Sequence, residues 1–134
     1  MVKLLDMIES QIFSLIKAKM PDSIKKKYPD LTFTTSDANS KQPKFPTVYI
    51  HLMESPESGM STEGEDLEAV IATIQVDVID NKNQTRATEI GREVLKIMKK
   101  LRFHAVTMPF SQDMEGVFRN IARYRRMIGS NDNL

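Results

Sequence analysis

GVFRNIARYRRMI, residues 116–128, alternates at period two. Phe118, Asn120, Ala122, Tyr124, Arg126 and Ile128 fall on one side, and Val117, Arg119, Ile121, Arg123, Arg125 and Met127 on the other. Alternation sustained over this length is the pattern of a half-buried β-strand, because successive side chains of a strand point to opposite faces. One face is mostly apolar until Arg126. The other carries Arg119, Arg123 and Arg125 as a basic ladder. Such a strand needs neighbours on both edges and helices over its apolar side.

The neighbours are legible upstream. Residues 67–80 form the longest strand pattern, with Val70, Ala72, Ile74, Val76 and Val78 against Ile71, Thr73, Gln75, Asp77 and Ile79. Residues 47–54 set Val48, Ile50 and Leu52 against Tyr49, His51 and Met53, and residues 31–35 form a shorter strand rich in Thr and Phe. A hairpin across residues 55–66 places the 67–80 strand beside the 47–54 strand. That connection, SPESGMSTEGED, has no large apolar residue except Met60, so it reads as a long mobile loop that a partner would order. Residues 36–46 read as a polar linker.

The helices follow from period 3.6. In residues 2–20, Leu4, Leu5, Ile8, Ile12, Leu15 and Ile16 form one stripe, and Pro21 ends the run. Residues 24–28 add a short helical turn whose lysines form a solvated face. Asn81 or Asn83 can cap a further helix that reaches about Leu101, with Ala87, Ile90, Val94, Ile97, Met98 and Leu101 on its stripe. Residues 103–108 read as a short strand, 109–115 as a turn and 129–134 as a frayed tail. The expectation is a single α+β domain over residues 1–134: two layers, a mostly antiparallel sheet of four to five strands, and two amphipathic helices on one face.

Composition narrows the function. The chain has 134 residues and a net charge of +1, so global attraction to DNA or to an anionic membrane is weak. It has no cysteine, which excludes disulfides, thiolate catalysis and thiolate metal sites and fits a reducing cytoplasm. The opening residues 1–20 are too interrupted by charge for a signal peptide or a membrane span. Near-neutrality hides a separation. Glu54, Glu57, Glu63, Glu65, Asp66 and Glu68 are six carboxylates in residues 54–68, with no Lys or Arg among them. An acidic segment and a basic ladder on one chain suit copies that meet head to tail.

Catalytic signatures are weak. His51 and His104 stand far apart with no local His or Cys partner, so a zinc site is not expected. Gly59 and Gly64 have the spacing of half a phosphate loop, but Glu65 and Asp66 stand where the lysine and hydroxyl belong and would repel phosphate. Asp80-Asn81-Lys82, with Asp66 or Asp77, has the composition of a metal-dependent nuclease site. It sits where a strand turns into a helix, and its bland reading is turn chemistry, with removal of Asp80 costing on the order of 1 kcal/mol. The arginine ladder with Phe118 and Tyr124 allows a nucleic-acid reading, although both rings fall on the core-like side. Of the nine methionines, Met53, Met60 and Met127 fall on loops or outer faces, where they can pack against a partner.

Order and spacing then suggest a family. Phe45-Pro46-Thr47-Val48-Tyr49 opens a strand, an acidic loop follows, and a long strand ends in Gln75-Val76-Asp77-Val78-Ile79-Asp80. A helix begins Arg86-Ala87-Thr88-Glu89-Ile90, and Leu101-Arg102-Phe103 and Ile121-Ala122-Arg123-Tyr124 complete the pattern. Nearly the whole chain, from the first helix to Tyr124, resembles the tail-terminator and tail-completion proteins of long-tailed bacteriophages and prophages. The resemblance implies a structural virion protein, assembled in the bacterial cytoplasm, that forms a ring, commonly a hexamer, on the finished tail tube and presents a surface to the head. Its implied partners are further copies of itself, the tail tube protein and a head-completion or connector protein. DNA only passes through the lumen, and neither membrane nor cofactor is involved. No catalytic residue carries over. The candidate interface residues are Arg119, Arg123 and Arg125 on one side and Glu57, Glu63, Glu65 and Asp66 on the other. The alternatives are another neck or tail-completion component, or a small nucleic-acid-binding domain, with the nuclease behind them.

Overall fold

The computed structural model describes residues 2–35, 44–53, 69–114 and 117–129. In chain order the elements are α1 (Val2–Lys19), α2 (Asp22–Lys27), β1 (Thr32–Thr34), β2 (Thr47–Met53), β3 (Ala69–Asp80), α3 (Gln84–Lys100), β4 (His104–Met114) and β5 (Val117–Gly129). The strands form one sheet in the order β1-β2-β3-β5-β4. The architecture is the two-layer α+β fold expected from the periodicities, with α1 and α3 packed on one face.

The alternation of β3 and β5 explains their central place. They pair antiparallel along nearly their whole lengths, from Ala69 opposite Gly129 to Asp80 opposite Phe118. Val76 and Val78 of β3 and Ala122, Tyr124 and Ile128 of β5 are buried beneath the helices, with Val48 and Ile50 of β2 beside them. From the helices come Ile8, Ile12, Ile16 and Met20, then Ile24 and Tyr28, and from α3 all six stripe residues read from the sequence. Each such aliphatic side chain contributes roughly 1.5–3 kcal/mol of burial. Helix α3 lies so close to β5 that a Cβ on Gly91 would sit 2.0 Å from Asn120 Oδ1. Any side chain at 91 would force the Asn120 side chain to move.

The ends of α3 are chemically defined. Asn83, not Asn81, is the N-cap: its side chain accepts from Arg86 N at 2.9 Å. At the other end Arg102 N donates to Lys99 O and Phe103 N to Met98 O, with Arg102 at φ 67°. This is a Schellman closure with arginine in the left-handed position that glycine usually takes, locked by the burial of Phe103.

The sheet is mostly antiparallel, as expected, with β1 alone running parallel to its neighbour β2. Other expectations are corrected. A third helix, α2, occupies the stretch read as a helical turn. Residues 109–114 are not a turn: β4 continues through Pro109 to Met114. Proline is tolerated because β4 is an edge strand, whose outer side owes no ladder hydrogen bonds. The strand absorbs it through register shifts between Ala105 and Thr107 and between Thr107 and Phe110. Gly129, read as the start of a frayed tail, still pairs with Ala69. Residues 55–66, and with them the expectation of a mobile loop, lie outside the described residues, as do 130–134.

Candidate functional site

Helices α1 and α3 pack on one face of the sheet, and β5 turns its ladder toward the other, where Thr73, Asp77 and Ile79 of β3 are buried while Arg123, Arg125 and Met127 are exposed. Registration decides what each arginine meets there. Arg123 lies opposite Gln75, Arg125 opposite Thr73 and Arg119 opposite Ile79. Arg123 Nε donates to Gln75 Oε1 at 2.8 Å, and Gln75 Nε2 donates on to Asp77 Oδ1 at 2.9 Å. Arg125 Nε donates to Thr73 Oγ1 at 3.4 Å. Neutral side chains of β3 therefore prop Arg123 and Arg125 without discharging them. Among the described residues none of the three ladder arginines has a carboxylate within ion-pair distance. Arg119 is half-buried, and its Nε has no hydrogen-bond partner among the described residues.

Apolar side chains border the ladder. Met127 on β5 is 65% exposed, and Val106, Met108 and Phe110 on β4 are exposed as well. On β2 the rings of Tyr49 and His51 stack at 4.4 Å between centroids, and Met53 beside them is half-buried. Of the acidic candidates, Glu57, Glu63, Glu65 and Asp66 lie outside the described residues. The segment that holds them leaves the sheet at Met53 and returns at Ala69, the end of the sheet where Arg125 and Met127 lie.

Arg126, which interrupts the apolar side of the strand, belongs to neither patch. It is buried beneath α3 and donates from Nη1 to Leu101 O at 3.1 Å. A cation at a helix C-terminus complements both the orphan carbonyl and the helix dipole.

Among the described residues the nuclease triplet gains no second acid. Asp80 is fully buried, accepts from Lys82 N at 3.1 Å and Asn83 N at 3.2 Å, and makes an ion contact of 3.1 Å with Arg86 Nε. All three contacts fall on Oδ2 and serve the start of α3, while Oδ1 is buried without a hydrogen-bond partner among the described residues. Asp77 points to the opposite face of the sheet, where it holds Gln75, and Asp66 lies outside the described residues. Among the described residues no group of three or more His, Asp or Glu side chains could hold a metal ion. No described helix is long and apolar enough to cross a membrane.

A second basic site escapes linear reading. Where β2 begins and β3 ends, a cavity of about 550 Å³ is lined by Lys27, Tyr28, Asp30, Lys44, Lys82 and Arg86 among others. Lys27 Nζ lies 3.0 Å from Glu89 Oε1, and the Tyr28 hydroxyl donates to the same carboxylate. The Arg86 guanidinium sits over the Tyr28 ring at 4.9 Å. The Tyr28 hydroxyl and then Lys27 hold the Glu89 carboxyl below its usual range, while burial and then Glu89 push the Tyr28 phenol up. These residues come from a lysine run, a linker and a turn, and no period in the sequence links them.

No family model matches this chain, and no characterised protein compared with it is significantly similar in sequence.

Proposed function

We propose that this chain is a structural subunit of the tail of a long-tailed phage: a tail terminator that closes into a ring, caps the tail tube and joins it to the head. The observation that carries the reading is the sheet face away from the helices, where Arg119, Arg123 and Arg125 stand without carboxylate partners among the described residues beside exposed Met127 and Phe110. Uncommitted arginines bordered by exposed Met and Phe are the residue chemistry of protein interfaces. The order of elements and the quoted motifs add the family resemblance. On this reading the partners are further copies of the chain, the tail tube protein and a head-completion protein, and the protein catalyses nothing. A DNA-carrying lumen would be slowed by phosphate contacts to a bare arginine ladder, so the ladder faces protein. The nucleic-acid reading loses support because Tyr124 is buried in the core and offers no stacking platform.

Reversing Arg119, Arg123 and Arg125 together to Glu tests the reading. The fold should survive, since Arg123 and Arg125 are exposed and Arg119 shares their side of β5. Assembly, or control of tail length, should be lost. One surface pair is worth about 0–1 kcal/mol, but three reversals repeated around a ring compound. Light scattering and electron microscopy of tails read the result. A folded triple variant that still forms rings and yields tails of normal length would overturn the proposal. Tight DNA binding by the parent protein that falls steeply with salt would favour the nucleic-acid domain instead.

A further inference from the structure

The molecule has two basic sites and one strongly acidic segment, and their places on the sheet differ. The arginine ladder reaches the end of the sheet where the acidic residues 54–68 are tethered, at Met53 and Ala69. The cavity of Lys27, Lys44, Lys82 and Arg86 opens at the other end, where β2 begins and β3 finishes. The twelve residues of β3 separate the two ends, about 36 Å at ~3.3 Å per residue. The acidic segment's other anchor, Met53, lies opposite Thr73, about 20 Å from the start of β2. To touch the cavity of its own chain the segment would have to be drawn almost to its full extension of about 55 Å, a demand that the cavity of a second copy does not make.

The charges of the cavity are unequally committed. Glu89 answers Lys27, and Asp80 answers Arg86. Lys44 and Lys82 have no ion-pair or side-chain hydrogen-bond partner among the described residues, and both are exposed at the rim, opposed by Asp30 alone. The Tyr28 ring under Arg86 gives the cavity an amphipathic floor. Two free ammonium groups over such a floor suit a short peptide rich in carboxylates. Residues 54–68 are of that kind, with six carboxylates, no base and Met60 for the floor.

We infer that the cavity beside Lys44 and Lys82 receives the acidic segment 54–68 of a second copy of this chain. This rests on the ring proposed above and names its head-to-tail contact. An acceptor at one end of the molecule and a donor at the other make a heterologous interface, which closes into a ring when the rotation permits. The arginine ladder is then left for the tube or the head.

The test uses two full-length variants, each checked for folding by circular dichroism. Lys44→Glu with Lys82→Glu spoils the acceptor, and Glu63→Lys, Glu65→Lys with Asp66→Lys spoils the donor. Neither should assemble alone. Mixed, they retain one native contact and set the two reversed patches, now complementary to each other, at the next contact, so light scattering should show assembly restored in the mixture. A labelled peptide of residues 54–68 should bind the donor-spoiled chain in fluorescence anisotropy, about tenfold more weakly once Lys44 and Lys82 are also reversed. Three results would overturn the inference: an acceptor-spoiled variant that assembles like the parent, a mixture that fails to assemble, or acid reversal that rescues the ladder variant. If the parent forms no ring under any condition, the tail-terminator reading falls first. The peptide titration still judges the cavity by itself.

Discussion

Arg125 and Arg126 are neighbours in β5, and the two faces of the sheet use them differently. Arg125 rests its Nε on the neutral Thr73 and keeps its charge at the surface. Arg126 is 8% exposed and donates to the carbonyl of Leu101, where α3 ends. Asp80 is its counterpart at the start of the same helix, buried against Arg86 and the amides of Lys82 and Asn83. Beneath the helices a charge is kept where a helix end supplies the matching half of a dipole. On the face away from the helices Arg123 and Arg125 are propped outward by the uncharged Gln75 and Thr73. The first arrangement fixes the fold, and the second leaves charge free for a partner.

Removing Asp80 should break the covered side most. Asp80→Ala strands Arg86 and uncaps two amides, and should cost about 3 kcal/mol in urea or thermal unfolding, the scale of a broken buried ion pair. That exceeds the ~1 kcal/mol expected when Asp80 is taken for a turn residue, because the carboxylate is wholly enclosed. A cost near 1 kcal/mol would mean that the ion contact contributes little. Arg126→Met should cost about 2 kcal/mol, leaving the Leu101 carbonyl without its charged donor. Arg125→Met, one residue away, should stay within about 0.5 kcal/mol. Equal losses at 125 and 126 would erase the distinction between the faces.

Glu89 is an intermediate case and should give the smallest effect. Its carboxyl is held low by the Tyr28 hydroxyl and then by Lys27. A lowered folded-state pKa adds stability that is fully present above the ordinary glutamate value, about 4.3, and is lost as the pH falls through the folded value. Glu89→Gln keeps an acceptor for Tyr28 but loses the charge. Denaturation curves should therefore show a small, constant gap between parent and variant near neutral pH that closes on acidification. A gap that persists in acid would point to packing.

Much of this arrangement was legible in the linear pattern. The alternation in β3 and β5 and the apolar stripe of α3 each answer to one geometric period, and the buried residues follow them. What escaped depends on contacts between distant parts of the chain. Arg126 looks like an error in an apolar row until the end of α3 is placed over it. Asn81 and Asn83 are equally good caps on paper, and only the helix start distinguishes them. The direction of β1 depends on the path of the chain between Thr34 and Thr47, which no local pattern records. Pro109 reads as a stop signal because its tolerance depends on β4 being an edge. The cavity joins α2, the approach to β2 and the turn before α3, and so leaves no periodic trace.

That edge has a further consequence. β4 is interrupted by Pro109 and two shifts of register. At the opposite margin β1 covers β2 only from Thr47 to Tyr49, and beyond it the amide of Leu52 is taken by Glu9 Oε2 at 2.9 Å. Neither margin offers a long clean template for a foreign strand. In the ring proposed above, copies would then meet through side chains rather than zip together backbone to backbone, a route whose products are hard to undo. Salt weakens such contacts, and they let a misplaced subunit leave and try again. A ring built this way would correct itself until it closes.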